Sequence, residues 1–232
     1  MTREQQNQPK QHKLSPRIAN AVLLGMLLAG CGQDAESYTP PTSCDEETLQ
    51  SDLQCEGVIK RALTTSRNHI EDESIELQPA CSPPTQGDHY PRWSVWGEST
   101  TPIPSGYWIH NLEHGGVALL YRCDEGCDES VAALRKIMEN LPVDLSCSSE
   151  VGTRSLLTED PTLPFSPMFA TVAWGHSYSA SCVVEDDIKA FIAEHYGNGP
   201  ESLCGQGSYS SDVAARTGDR SDSAVGESMT LP

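Results

Sequence analysis

Two stretches carry the period of a helix. In residues 128–140, DESVAALRKIMEN, apolar Val131, Leu134, Ile137 and Met138 recur at steps of three and four, and Pro142 follows. In residues 185–199, EDDIKAFIAEHYGNG, acids crowd the first turn and Gly197 stands at the end. Other stretches are short and dense in β-formers. GYWIH (106–110) and GVALLYRC (116–123) read as two strands separated by the HNLEHG segment. In the second, Val117, Leu119 and Tyr121 fall on one face and Ala118, Leu120 and Arg122 on the other. Residues 151–157 offer a short strand, and PMFATVAWG (167–175) another. The order β-β-α-β-β-α predicts an α+β fold: a small, mainly antiparallel sheet with two helices on one face. Residues 44–80 are acidic, and Leu49, Leu53 and the run Ile59–Leu63 suggest one or two short helices in an extension with little core of its own.

The ends change the picture. Arg3, Lys10, Lys13 and Arg17 stand against one acid, Glu4, and residues 18–30, IANAVLLGMLLAG, are uncharged. A basic segment followed by an apolar one is the pattern of an export signal. The apolar run is shorter than the roughly 20 residues a spanning helix needs. It closes in LAGC, which resembles the bacterial lipobox and implies cleavage before Cys31 and lipidation of its thiol. The expected organisation is a signal peptide over 1–30, a lipidated Cys31 and tether over 31–43, an acidic extension over 44–80, a compact domain over 81–204 and a disordered tail over 205–232, which is rich in Gly, Ser and Asp. The chain would be anchored to a membrane by lipid without crossing it, on the periplasmic face or the surface of the outer membrane.

Cysteine usage agrees with export. With Cys31 assigned to lipid, eight of the nine cysteines remain: Cys44, Cys55, Cys81, Cys123, Cys127, Cys147, Cys182 and Cys204. An even number in an exported chain points to disulfides. Cys123 and Cys127 are spaced to close a small loop, and the other pairings stay open. The whole chain has 15 basic and 33 acidic residues. Without the first 30 residues it keeps 11 basic and 32 acidic ones. Such a surface repels nucleic-acid phosphates. No GxGxxG, P-loop or Gly-x-Ser-x-Gly string occurs, so neither a nucleotide cofactor nor a serine-hydrolase elbow is expected.

The chemistry concentrates in HNLEHGG, residues 110–116. His110, Glu113 and His114 match H-x-x-E-H, a zinc-hydrolase string that works when it lies on a helix. The β-type run before it and Gly115-Gly116 after it speak instead for a turn between strands, where two imidazoles and a carboxylate can take a metal ion. His89, in the loop PPTQGDHYP, His176, after the strand MFATVAW, and Met168, at its start, are further candidate ligands. Histidine with methionine suits copper, and histidine with carboxylate suits zinc. The plainer reading of each is local: histidines in tight turns cap backbone groups, and methionine fills cores. His12 and His69 carry no mark of function.

Four segments together carry a resemblance. PPTQGDHYPRWSVWG, IHNLEHGGVALLY, MFATVAWGH and AFIAEHYGNGPES resemble the bacterial family called domain of unknown function 3105 over roughly residues 83–201. Its specific part is the H-N-x-E-H-G block. The family's usual loop, PPTSGPH-like, has proline where this chain has Asp88, which would loosen the loop and keep its histidine. The resemblance implies an exported or membrane-anchored protein and no established activity. It also ties His89, His110, Glu113 and His114 into one pattern. The expectation is a lipoprotein domain that binds copper, or second to it zinc, through His89, His110, Glu113, His114, Met168 and His176. The alternatives are an envelope module without metal and a zinc hydrolase. Protein partners are not legible.

Overall fold

The computed structural model describes residues 38–41, 43–63 and 66–211. The expected signal peptide, Cys31 and residues 212–232 of the expected tail lie outside the described residues. Seven strands and three helices form: β1 (Glu46–Leu53), β2 (Gly57–Ala62), β3 (Gly97–Glu98), α1 (Ser105–Glu113), β4 (Val117–Arg122), α2 (Asp128–Glu139), β5 (Ser155–Glu159), β6 (Met168–Ala173), β7 (His176–Ala180) and α3 (Glu185–His195). They build one sheet of order β1-β2-β7-β6-β4-β5-β3. The pairs β4–β5 and β3–β5 are parallel and the others antiparallel. The α+β class and the mostly antiparallel pairing are as expected. The sheet is mixed, however, and there are three helices where two were predicted.

Alternation along the central strands divides the core into two layers. Ala118, Leu120, Leu156, Met168, Ala170 and Val172 face a cluster with Trp108, Ile109 and Leu112 of α1. Val117, Leu119, Leu157, Phe169 and Ala173 face Leu134 and Ile137 of α2 and Ile188, Phe191 and Ile192 of α3. Helices therefore cover both faces, not one.

The helix that breaks the prediction is α1, because GYWIH is its middle and not a strand. Gly106 through Glu113 are all buried. A helix enclosed on every side has no polar face, so its sequence lacks the period that would reveal it. Gly106 leaves room for the Tyr90 ring, since a Cβ there would lie 2.4 Å from that ring. The helix stops at the double glycine. Gly116 N–H donates to Asn111 O at 3.0 Å and Gly115 N–H to Leu112 O at 2.9 Å, with Gly115 at φ +80°. This is a Schellman close, in which a residue without a Cβ takes the left-handed position. The buried Arg154 caps the same end by donating to His114 O at 2.8 Å, and its charge is held by Asp144 at 2.8 Å.

The acidic extension also departs from expectation. Residues 46–62 form a hairpin, not helices, and β2 pairs with β7 from Val58↔Ser179 to Arg61↔His176. An edge on the sheet, offered to the β-branched Val58 and Ile59, outweighs weak local helix propensity. Cross-strand pairs Lys60–Glu46 at 3.1 Å and Arg61–Glu47 at 2.6 Å lie on the hairpin. All eight cysteines pair: Cys44–Cys81, Cys55–Cys182, Cys123–Cys127 and Cys147–Cys204. These disulfides are compatible with an exported protein. Among the described residues no helix is long and apolar enough to cross a membrane.

Candidate metal centre

Three segments meet beside α1. Helical spacing puts His110 and Glu113 on neighbouring positions of one face, three residues apart. The loop 85–89 brings His89, and residues 66–70 bring His69. The last two run alongside each other: Ile70 N–H donates to His89 O at 2.8 Å and His89 N–H to Asn68 O at 3.0 Å. Asp88 secures this pairing. Its Oδ1 accepts from Ser66 Oγ at 2.5 Å, Asn68 Nδ2 at 3.0 Å and Asn68 N–H at 3.2 Å. The residue expected to loosen the loop is therefore the one that ties the His69 segment to it.

The ring centroids of His69, His89 and His110 are each 4.8 Å from the other two. One ligand atom from each of these histidines and one Glu113 oxygen all lie within 4.8 Å of one another. His89, His110 and Glu113 are buried, while His69 is 42% exposed at the lip. Arg67 reaches over the same carboxylate, at 3.7 Å from Oε1.

Hydrogen bonds fix the protons. His89 Nδ1 lies 2.8 Å from Gly87 O, and His110 Nδ1 lies 2.7 Å from Tyr90 O. A carbonyl only accepts, so each Nδ1 carries the hydrogen and each Nε2 of the neutral ring presents a lone pair. His89 Nε2 is 3.0 Å from Glu113 Oε2. Protonating His89 would make this contact an ion pair. Burial instead drives its pKa down to about 4, and does the same to His110 and His114. Burial also pushes the Glu113 carboxyl up. A lone pair thus faces a carboxyl oxygen in a buried site. That arrangement is costly unless a proton or a cation lies between them. The backbone acceptors behind each ring are what orient imidazoles toward a metal ion. Three imidazoles and a carboxylate are a donor set for a late first-row divalent ion, so this group could hold one.

The structure gathers His89, His110 and Glu113 from the expected set. His114 adjoins the group: its ring centroid is 4.6 Å from that of His110 and 4.6 Å from that of Trp93, its Nδ1 is unpartnered and its Nε2 lies 3.5 Å from Glu201. Met168 is packed into the layer under α1. His176 starts β7 and stacks on His195, centroids 4.2 Å apart. His69, which completes the group, carries no sequence mark: it sits in a polar stretch, and only tertiary pairing with His89 positions it. Among the described residues the other close group of ligand types is Cys44, Glu46 and Cys81, whose two sulfurs are joined as a disulfide and offer no thiolate.

Fold and site define a disulfide-bonded α+β domain with a three-histidine, one-carboxylate cluster, buried except for His69. The family model described as a protein of unknown function, domain of unknown function 3105, matches residues 69–206, more than half of the chain, and the chain belongs to that family. The match begins at His69. No curated protein and no solved structure matches the chain.

Proposed function

We propose that this is an exported, lipid-anchored protein of the bacterial cell envelope whose domain binds one late first-row divalent metal ion. His69, His89, His110 and Glu113 hold the ion. The observation that carries this reading is the pair of pinned tautomers: Gly87 O and Tyr90 O take the Nδ1 protons, and His89 Nε2 is left against Glu113 Oε2 at 3.0 Å. With Met168 in the core, nothing soft remains in the donor set. Nitrogen and carboxylate donors favour zinc or copper(II) over copper(I). The export reading rests on the LAGC segment and is supported by four disulfides. The acidic surface disfavours nucleic acid as a partner.

A zinc-hydrolase reading gains one observation, since α1 carries His110 and Glu113 and His114 caps its C-terminal end. It loses another, because Glu113 faces His89 as a ligand would and His114 is turned toward Trp93 and Glu201. Binding is therefore the stronger reading.

The test is elemental analysis of the exported chain, purified without a histidine tag or chelating resin, then reloaded with zinc or copper(II). About one equivalent of metal per chain is expected. His110→Ala should lose it and stay folded. Glu113→Gln should weaken it by at least the roughly 10- to 100-fold that losing a residue behind a ligand costs. No metal in the parent chain after reloading would make the cluster a structural corner and overturn the reading.

A further inference from the structure

Behind His89 lies a cavity of about 270 Å³ that the metal reading does not use. Its apolar wall includes Tyr38, Leu77, Pro79, Pro84 and Ile109. Its polar wall is Thr39, Ser43, Ser66 and the loop 85–88, which leads into His89. Two donors of that loop are stranded. Thr85 is only 2% exposed, and its Oγ1 has no hydrogen-bond partner. The buried Nε2 of Gln86 has none either. Folded proteins rarely leave such groups unpaired, so each calls for a missing partner.

We propose that this cavity binds a small neutral molecule with an apolar body and a carbonyl or carboxamide head. The head follows from the stranded groups. An amide nitrogen only donates and a hydroxyl can donate, so together they ask for an acceptor. The neutrality follows from the wall. It contains no Lys or Arg, and it does contain Asp88, which repels a carboxylate. An ammonium head is disfavoured because it brings only more donors. The volume sits near the lower end of small-molecule sites, which sets the occupant at fragment size. Gly87 belongs to the same wall, and its carbonyl orients the His89 ring at 2.8 Å. A ligand seated there presses on the backbone that aims one metal-site imidazole. The proposal does not depend on whether metal binds.

The exported chain, disulfides intact and labelled with ¹⁵N, is titrated with benzamide, sodium benzoate and toluene while backbone and Gln86 side-chain amide signals are followed. Benzamide should give saturable shifts at Thr85, Gln86 and Gly87, and should bind about tenfold more tightly than benzoate or toluene. The Thr85→Val/Gln86→Leu variant should lose benzamide binding, keep toluene binding and melt no lower than the parent. Three results would overturn the proposal: no saturable benzamide shift, unchanged benzamide binding in the double variant, or a lower melting temperature in that variant. The last would show that the two donors are already bonded within the fold.

Discussion

At the cluster, single protons decide behaviour. His89, His110 and His114 hold native pKa values of about 4, pushed down by burial from 6.5. Between those values the unfolded chain binds protons that the metal-free native chain refuses. Stability is therefore fully present above pH 6.5, falls as pH drops toward 4, and levels off below. Glu113 works the other way. Its carboxyl is pushed up, so the native state takes that proton first and offsets part of the loss. The charged groups facing the set are Arg67, Asp88, Glu201 and Arg154, with the His69 ring beside them. Urea unfolding of metal-stripped protein from pH 8 to pH 4 should show stability rising with pH through this window. A flat profile would contradict neutral native imidazoles. The same residues show what sequence could reveal. His110, Glu113 and His114 are legible because they share a short string, and His89 because the family resemblance carries it. His69 is invisible, since its partner lies twenty residues away and only a β-bridge joins them. Met168 lies in the core layer, and a methionine opening a strand looks alike in sequence in a core and at a site.

At the scale of elements, the two surface helices were legible because each shows water one side and the core the other, and β4, β5 and β6 because they are short, dense runs of β-formers buried on both faces. The α1 helix was not, because Trp108, Ile109 and Leu112 meet the sheet while Asn111 bonds both Ser94 N–H and Ser94 O at 2.9 Å on another side. What the sequence does mark is the helix end, at the two glycines. Gly115→Ala would put a Cβ at φ +80°, 3.1 Å from Arg154 Nη1 and from the Gly197 backbone. The left-handed position alone costs a non-glycine residue about 1–2 kcal/mol. Urea denaturation should read a loss of at least that size. Metal affinity should fall with it, because the last turn of α1 carries Glu113. An unchanged midpoint would mean that the Schellman close contributes little.

Across the whole molecule, covalent links join what the sheet only borders. Cys55–Cys182 spans 127 residues and fastens the hairpin turn to the chain leaving β7. Hydrogen bonds from Ser181 N–H and Oγ to Cys55 O, each 2.9 Å, reinforce the joint. Replacing both cysteines with serine should cost about 2–5 kcal/mol of stability, as removal of a long-range disulfide does. Chemical denaturation of the variant reads it directly, and a change under about 1 kcal/mol would show that strand pairing alone holds the hairpin. Cys44–Cys81 has a different consequence. It closes a loop of 37 residues that contains both hairpin strands and His69. A pull on the chain ahead of Cys44 passes straight through the sulfur bridge to Cys81. Tension on the N-terminal side thus bypasses the hairpin and the lip of the cluster, so the domain can be tugged by its leading end without His69 feeling the load.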